Sequence, residues 1–245
     1  MTQHGGDGPG TGWYYESDVL RVPEIGCVYL PMWHVHQHAV GTFLCVPSLP
    51  ISRSHVLLGE AVFEAAPPSL ICDINLELLG IAGAEIVALR QRGGEALIGL
   101  PVHFETIASR RHRNRYLSAC AALDPVVRDH ILIELIDLPD GSPEGRLCEL
   151  VSWLRPWGRA ICIRAGLDCR RFEPFAAAHV LAVGTSLGGH EEPETDLMER
   201  MNGFTAQAAR LGLKTHAHEL RTRSLTVAAL GAGFDFISGA VVSSV

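Results

Sequence analysis

Eight short apolar runs recur along the chain, and most are followed by a segment with helical spacing. They are Cys27–Leu30, Val40–Val46, Ala96–Val102, Ile131–Ile136, Ala160–Arg164, Val180–Val183, Leu213–Ala217 and Phe234–Ile237. Runs this short and this apolar fit strands buried on both faces, as parallel strands are. Helical patterns lie between them. Asp73–Arg92 carries Leu76, Leu79, Gly83, Ile86 and Leu89 at helical spacing and ends at Gly93-Gly94. Ser142-Pro143-Glu144 reads as a helix start, with a capping hydroxyl, a proline where no N–H is needed, and an early carboxylate. The helix that follows puts Leu147, Leu150, Val151 and Leu154 on one face and stops at Pro156-Trp157-Gly158. A third helix is expected over Glu194–Leu211, with Leu197, Met201, Phe204, Ala208 and Leu211 inward and Gly212 as terminator. Thr222 is the expected cap of a last helix through Leu230. Strands that alternate with helices form parallel sheets with helical crossovers. Eight such strands predict a closed α/β barrel, the (β/α)8 TIM type. An open doubly wound sheet is the alternative; it usually brings a Gly-rich first turn, and no GxGxxG follows any strand.

Length agrees with this reading: the chain has 245 residues, and one such barrel takes roughly 250. Residues 1–24 are expected to be a flexible tail and lead-in, polar and Gly-rich over Met1–Gly12, and residues 25–245 the barrel domain. Hydrophobic residues make up 47%, enough for a large core, whereas charged residues make up only 19%. The low charge implies a surface shared with a protein partner or a second copy. A net charge of −7 argues against nucleic acid, whose phosphates reward a basic face. There is no apolar signal core and no run near the ~18 residues of a membrane span, so the expected location is cytoplasmic, without membrane contact. The seven cysteines form no CxxC pair; Cys45, Cys120, Cys148 and Cys162 read as small core residues.

Five segments, in order, resemble the EAL family, the fold of cyclic-di-GMP phosphodiesterases. Val28–Trp33, a turn and Ala39-Val40-Gly41 are similar to its opening hairpin, where a "QPI" strand leads to "GxEAL". Ile131–Asp137 resembles its "lEitE" strand, and Trp157–Ile163 stands at its "G..iaLDDFG" strand. Leu211–Ala217 followed by Thr222 resembles "lGi.viAEGVEt", and Leu230–Gly239 resembles "lGvdyvQG". The resemblance implies a barrel whose first strand runs antiparallel to its neighbours. For active members it implies two metal ions held by strand-end carboxylates, an Asn and a Gln, which activate water against the phosphodiester.

Measured against that pattern, most ligand positions are substituted. Thr42-Phe43-Leu44 stands at "EAL", Pro101 at the Asn, Arg164 and Ala165 at the paired Asp, Ala182 near the Lys, His218 and Arg221 at the acids of "EGVE", and Ser238 at the Gln. Glu134 alone is retained. Val46-Pro47 replaces the segment whose Arg would contact phosphate. The resemblance therefore implies a catalytically inactive EAL-like signalling or protein-interaction module, with cyclic di-GMP as a residual ligand at most and no cofactor.

The remaining polar features each carry two readings. Glu134, in an apolar strand, is either a relict ligand or the partner of Arg164 in a buried ion pair. His34, His36 and His38 have metal-ligand spacing, as do His216 and His218. The resemblance puts the first three in the hairpin turn, away from the mouth. It puts His216 and His218 inward, where with Glu134, and Asp235 nearby, they would rebuild a metal site for a metal-dependent hydrolase. Arg110, Arg111, His112, Arg113 and Arg115 are a solvated helix face or an anchor for phosphate or an acidic partner. Cys162 and Cys169 flank Arg164 without a histidine base nearby in sequence. Trp33, Trp153 and Trp157 read as packing residues.

Overall fold

The computed structural model describes residues 15–16, 19–20, 25–52, 54–190 and 194–242. Most of the expected flexible tail lies outside these residues. Two short strands, β1 (Tyr15–Glu16) and β2 (Val19–Leu20), pair antiparallel. The main sheet then begins with β3 (Gly26–His34) and β4 (Ala39–Ser52), joined by a four-residue turn, and β5 (His55–Leu58) folds back on the far half of β4.

Strand and helix alternate from there. The helices are α1 (Glu60–Ala65), α2 (Ile71–Gln91), α3 (Phe104–Ala108), α4 (Arg110–Ala122), α5 (Pro125–Arg128), α6 (Glu144–Leu154), α7 (Glu173–Ala177), α8 (Glu194–Arg210) and α9 (Arg223–Gly231). The strands are β6 (Leu97–His103), β7 (Ile131–Ile136), β8 (Ala160–Arg164), β9 (Ala182–Ser186), β10 (Lys214–His218) and β11 (Phe236–Ser238). Strands β4, β6, β7, β8, β9, β10 and β11 pair in that order, all parallel. β3 closes the ring, antiparallel to β11 on one side and to β4 on the other. The result is an eight-stranded α/β barrel with one reversed strand.

Alternation along each strand splits its side chains between the barrel interior and the helical layer. On β7, Ile131, Ile133 and Leu135 are buried in the core cluster together with Leu147, Leu150, Val151 and Leu154 of α6. All four α6 residues are those its spacing predicts. On α2 Leu79, Gly83 and Ile86 are buried as the spacing predicts, together with Ile74, Leu78 and Ala82, whereas Leu76 and Leu89 are half-buried. Leu197, Met201, Phe204 and Ala208 of α8 are buried as expected, and Leu211 lies exposed beyond the helix end. Thr222 caps α9 by accepting from the Leu225 N–H at 3.1 Å. Ser142 does not cap α6. Extended Pro143 takes the cap position, and the Ser142 hydroxyl turns back to donate to the Pro139 carbonyl at 2.7 Å.

Inside the barrel, glycine makes room for larger neighbours. A Cβ on Gly99 of β6 would meet Leu44 Cδ2 at 2.9 Å, and one on Gly184 of β9 would lie 1.9 Å from His216 Cε1. No helix among the described residues is long and apolar enough to cross a membrane.

Candidate functional site

The C-terminal ends of the parallel strands form one mouth of the barrel, the usual place for a site on this architecture. Glu134 points inward from β7 and is 5% exposed. Arg164, the last residue of β8, grips it with two nitrogens: Nε donates to Oε1 at 3.2 Å and Nη2 donates to Oε2. Its third nitrogen, Nη1, donates to Glu60 Oε1 of α1 at 2.7 Å. A guanidinium fork matches a carboxylate in this way and holds it in one orientation. Burial opposes the Glu134 charge, but Arg164, His218 and His216 outweigh it and hold the carboxyl well below the usual range. Burial likewise opposes the charge on Arg164, yet Glu134 and Glu60 raise its pKa.

Below this ion pair lie the two inward histidines of β10. His218 Nε2 is 2.8 Å from Glu134 Oε1 and 2.7 Å from His216 Nδ1, and His216 Nδ1 is 3.6 Å from the same oxygen. His216 is driven down to about 3 by burial, with His218 and Arg164 acting in the same sense and Glu134 against it, so its ring is neutral. Among the described residues this is the one cluster of three or more His, Cys, Asp or Glu donors close enough to share a metal ion. The spacing of β10 brings its two histidines together, as the sequence implies.

Above the pair opens a cleft of about 1050 Å³, lined by Glu60, His103, Asp137, Arg164, Ser186 and Arg200 among others. Glu134, His216 and His218 do not line it. Arg164 therefore belongs to the floor of the cleft and the three donors lie beneath. On one wall His103 Nε2 faces Asp137 Oδ2 at 3.1 Å. Asp137 directly follows β7 with φ 55°, and Glu219 directly follows β10 with φ 59°. Both residues hold left-handed backbone where the strands leave the barrel, a conformation that clusters at functional sites. Asn75 of α2 braces the end of β6: its Oδ1 accepts from the His103 N–H and the Thr106 hydroxyl, and its Nδ2 donates to the Pro101 carbonyl. Nothing in the local sequence marks Asn75, which is an ordinary polar residue in an amphipathic helix.

The other singled-out residues disperse. Ala182 opens β9 as the register partner of Cys162, toward the lower end of the barrel. Ala165 follows β8, and its N–H donates to the Gly184 carbonyl. Arg221 lies past β10, paired with Glu219 at 3.2 Å. Ser238 is buried and donates to the Pro31 carbonyl at 2.9 Å. Thr42 and Leu44 are buried on β4, and Phe43 is half-buried. His34, His36 and His38 sit at the β3–β4 turn, at the end opposite the mouth, as the resemblance implies. Asp235 lies at that end too, binding Lys214 and Thr215, and so is no part of the Glu134 cluster. Within the basic run, Arg113 stacks on Trp153 at 3.7 Å and Arg115 binds Asp73, while Arg110 and Arg111 are exposed. Trp153 and Trp157 both pack under arginines, and all seven cysteines are free thiols.

A closed α/β barrel with one reversed strand is the fold that the EAL resemblance implies, and comparison with solved structures bears the fold out. No family model and no curated protein matches the sequence. Solved structures match its fold over most of the chain. The PaMucR phosphodiesterase in complex with c-di-GMP aligns at TM-score 0.66 and 13% identity, over 88% of this chain and 94% of that one. The Xanthomonas citri FimX EAL domain in complex with c-di-GMP aligns at 0.65 and 14% identity, over 89% and 87%. The apo S helix-GGDEF-EAL segment of Vibrio cholerae LapD aligns at 0.69 and 9% identity. There the match spans 89% of this chain but 53% of the neighbour. The chain thus has the EAL-type fold.

Proposed function

We propose that this barrel works as a non-catalytic module of cyclic-di-GMP-related signalling, acting through a protein partner or a second copy. The observation that carries the reading is the Arg164 fork on Glu134. In the EAL resemblance that carboxylate is the one retained ligand position, and here a permanent cation occupies both of its oxygens. A pair of Mg²⁺ ions needs several oxygen ligands at near-octahedral geometry. The groups in contact with Glu134 do not fit such a pair: they are a guanidinium and two imidazoles, and the Ser238 hydroxyl, at the position of the family's Gln, is spent on a backbone carbonyl. A hydrolase reading would need its metal donors to face substrate, whereas the cleft is lined by Arg164 and not by Glu134, His216 or His218.

Nucleotide binding is a separate matter from turnover. The structural neighbours include complexes with c-di-GMP, and the cleft here carries Arg164, Arg170, Arg171 and Arg200 alongside acidic side chains. The test is calorimetric titration with cyclic di-GMP, with and without Mg²⁺, alongside a hydrolysis assay. The expected result is no linear product above a protein-free blank. Micromolar binding without turnover makes the protein a receptor, and no heat directs the function to protein partners. Mg²⁺-dependent hydrolysis that disappears in Glu134→Gln overturns the proposal.

A further inference from the structure

The hydrogen bonding of the buried cluster does not close. A ring nitrogen carries either a proton or a lone pair. As a donor, His218 Nε2 serves Glu134, and His216 Nδ1 is left a share of that same proton at 2.7 Å. As an acceptor, it takes a proton from His216 but then faces the Glu134 oxygen lone pair to lone pair at 2.8 Å. Native interiors rarely leave a buried set of polar atoms so mismatched, and the two residues are 3% and 4% exposed. An ion on His216 Nδ1 and His218 Nε2 would remove this conflict, with His216 Nε2 and His218 Nδ1, which have no partner, carrying the ring protons.

We propose that Glu134, His216 and His218 form a binding site for one late first-row divalent cation, Zn²⁺ in particular. Three donor atoms converge with separations of 2.7, 2.8 and 3.6 Å. Atoms so spaced can all lie roughly 2.1 Å from one point, the bond length of Zn²⁺ to imidazole nitrogen and carboxylate oxygen, and a modest spreading of the 2.7 and 2.8 Å separations brings them to tetrahedral angles. Two imidazoles and one carboxylate are a donor set that selects Zn²⁺, Co²⁺ or Ni²⁺ over the oxygen-seeking Mg²⁺. The surroundings support it. Arg164 binds the carboxylate from outside and orients it, the part an outer-shell group plays at metal sites. Glu60 balances the Arg164 charge at 2.7 Å, so the cluster keeps a net negative charge to offer a cation. Gly184 leaves the space that the His216 ring fills. Because the three donors lie beneath the cleft floor, the ion is a structural or sensing one, and the site stands whether or not a nucleotide binds above it.

The full chain, stripped with a chelator and dialysed against limiting Zn²⁺, is the material for the test. Metal analysis is expected to find one Zn²⁺ per chain, and Co²⁺ loading to give the visible spectrum of a low-coordinate nitrogen and oxygen site. His216→Gln and His218→Gln should each weaken Zn²⁺ by more than the roughly 10–100-fold typical of an outer-shell loss. Replacing His34, His36 and His38 together by Gln should leave the stoichiometry unchanged. Where the buried variants fold poorly, the triple variant and the Co²⁺ spectrum still decide. No stoichiometric metal in the wild type overturns the site. So does stoichiometry that falls with the surface triple variant, or binding that survives in both His216→Gln and His218→Gln.

Discussion

Arg164 stands between two carboxylates of different exposure, and that difference sets what each contact contributes. Glu134 keeps 6% of its side-chain surface and Glu60 keeps 40%. Removing the guanidinium strands a buried charge, which typically costs about 3–5 kcal/mol. Removing an exposed partner costs about 0–1 kcal/mol, because water and salt screen it. Arg164→Gln is therefore expected to lower the urea midpoint sharply and Glu60→Gln to move it little. Equal shifts would mean that Glu60, not Glu134, anchors the arginine. The Arg164–Glu134 pairing is legible from sequence, because a carboxylate in an apolar strand needs a partner and the alternation of β7 and β8 sends both side chains inward. Glu60 is not legible: it lies 104 residues from Arg164, on a six-residue helix with no periodicity to place it. Gly184 is equally silent, since a missing side chain says nothing about which ring will fill its place.

Short elements decide how the barrel ends are tied, and they are the ones sequence reads least well. The long helices and the apolar strands carry repeating patterns, so their existence and most of their inward residues follow from spacing. Helices α3, α5 and α7 have five, four and five residues, too few for a helical period to show. Asp235, just before the three-residue β11, shows how such an element is held. It accepts from Lys214 Nζ at 2.7 Å and from the Thr215 N–H at 2.9 Å, fastening β11 to β10. Burial opposes its charge, but these donors prevail and its pKa is lowered. A lowered carboxylate stabilises the fold above its unfolded value, about 3.9, and loses that contribution as pH falls through the folded value. Asp235→Asn is expected to cost about 1 kcal/mol at neutral pH, discounted for the half-exposed lysine. The gap between the denaturation midpoints of variant and wild type should begin to shrink below about pH 4 and close only beneath the lowered folded-state value, where wild-type Asp235 is also neutral. A gap independent of pH would show that packing, not charge, fastens β11.

Closure is the property that belongs to the whole molecule. β3 comes early in the chain and β11 late, and their antiparallel pairing, Phe236 with His34 through Ser238 with Met32, turns an open sheet into a ring. β11 has only three residues, but Ile237 within it and Phe234 just before it are almost fully and fully buried, so the seam is held by apolar contact as well as by ladder bonds. A ring has no edge strand to fray, and its strands should open together. β5 lies outside the ring, with His55, Val56 and Leu58 exposed. Native-state amide exchange should therefore divide the sheet in two: β5 exchanges early through local opening, and β3 and β11 exchange with β7 and β8 at the free energy of global unfolding. If β3 and β11 instead exchange well before β7 and β8, the seam is a hinge. The barrel would then open between its first and last strands, and a partner strand could enter there.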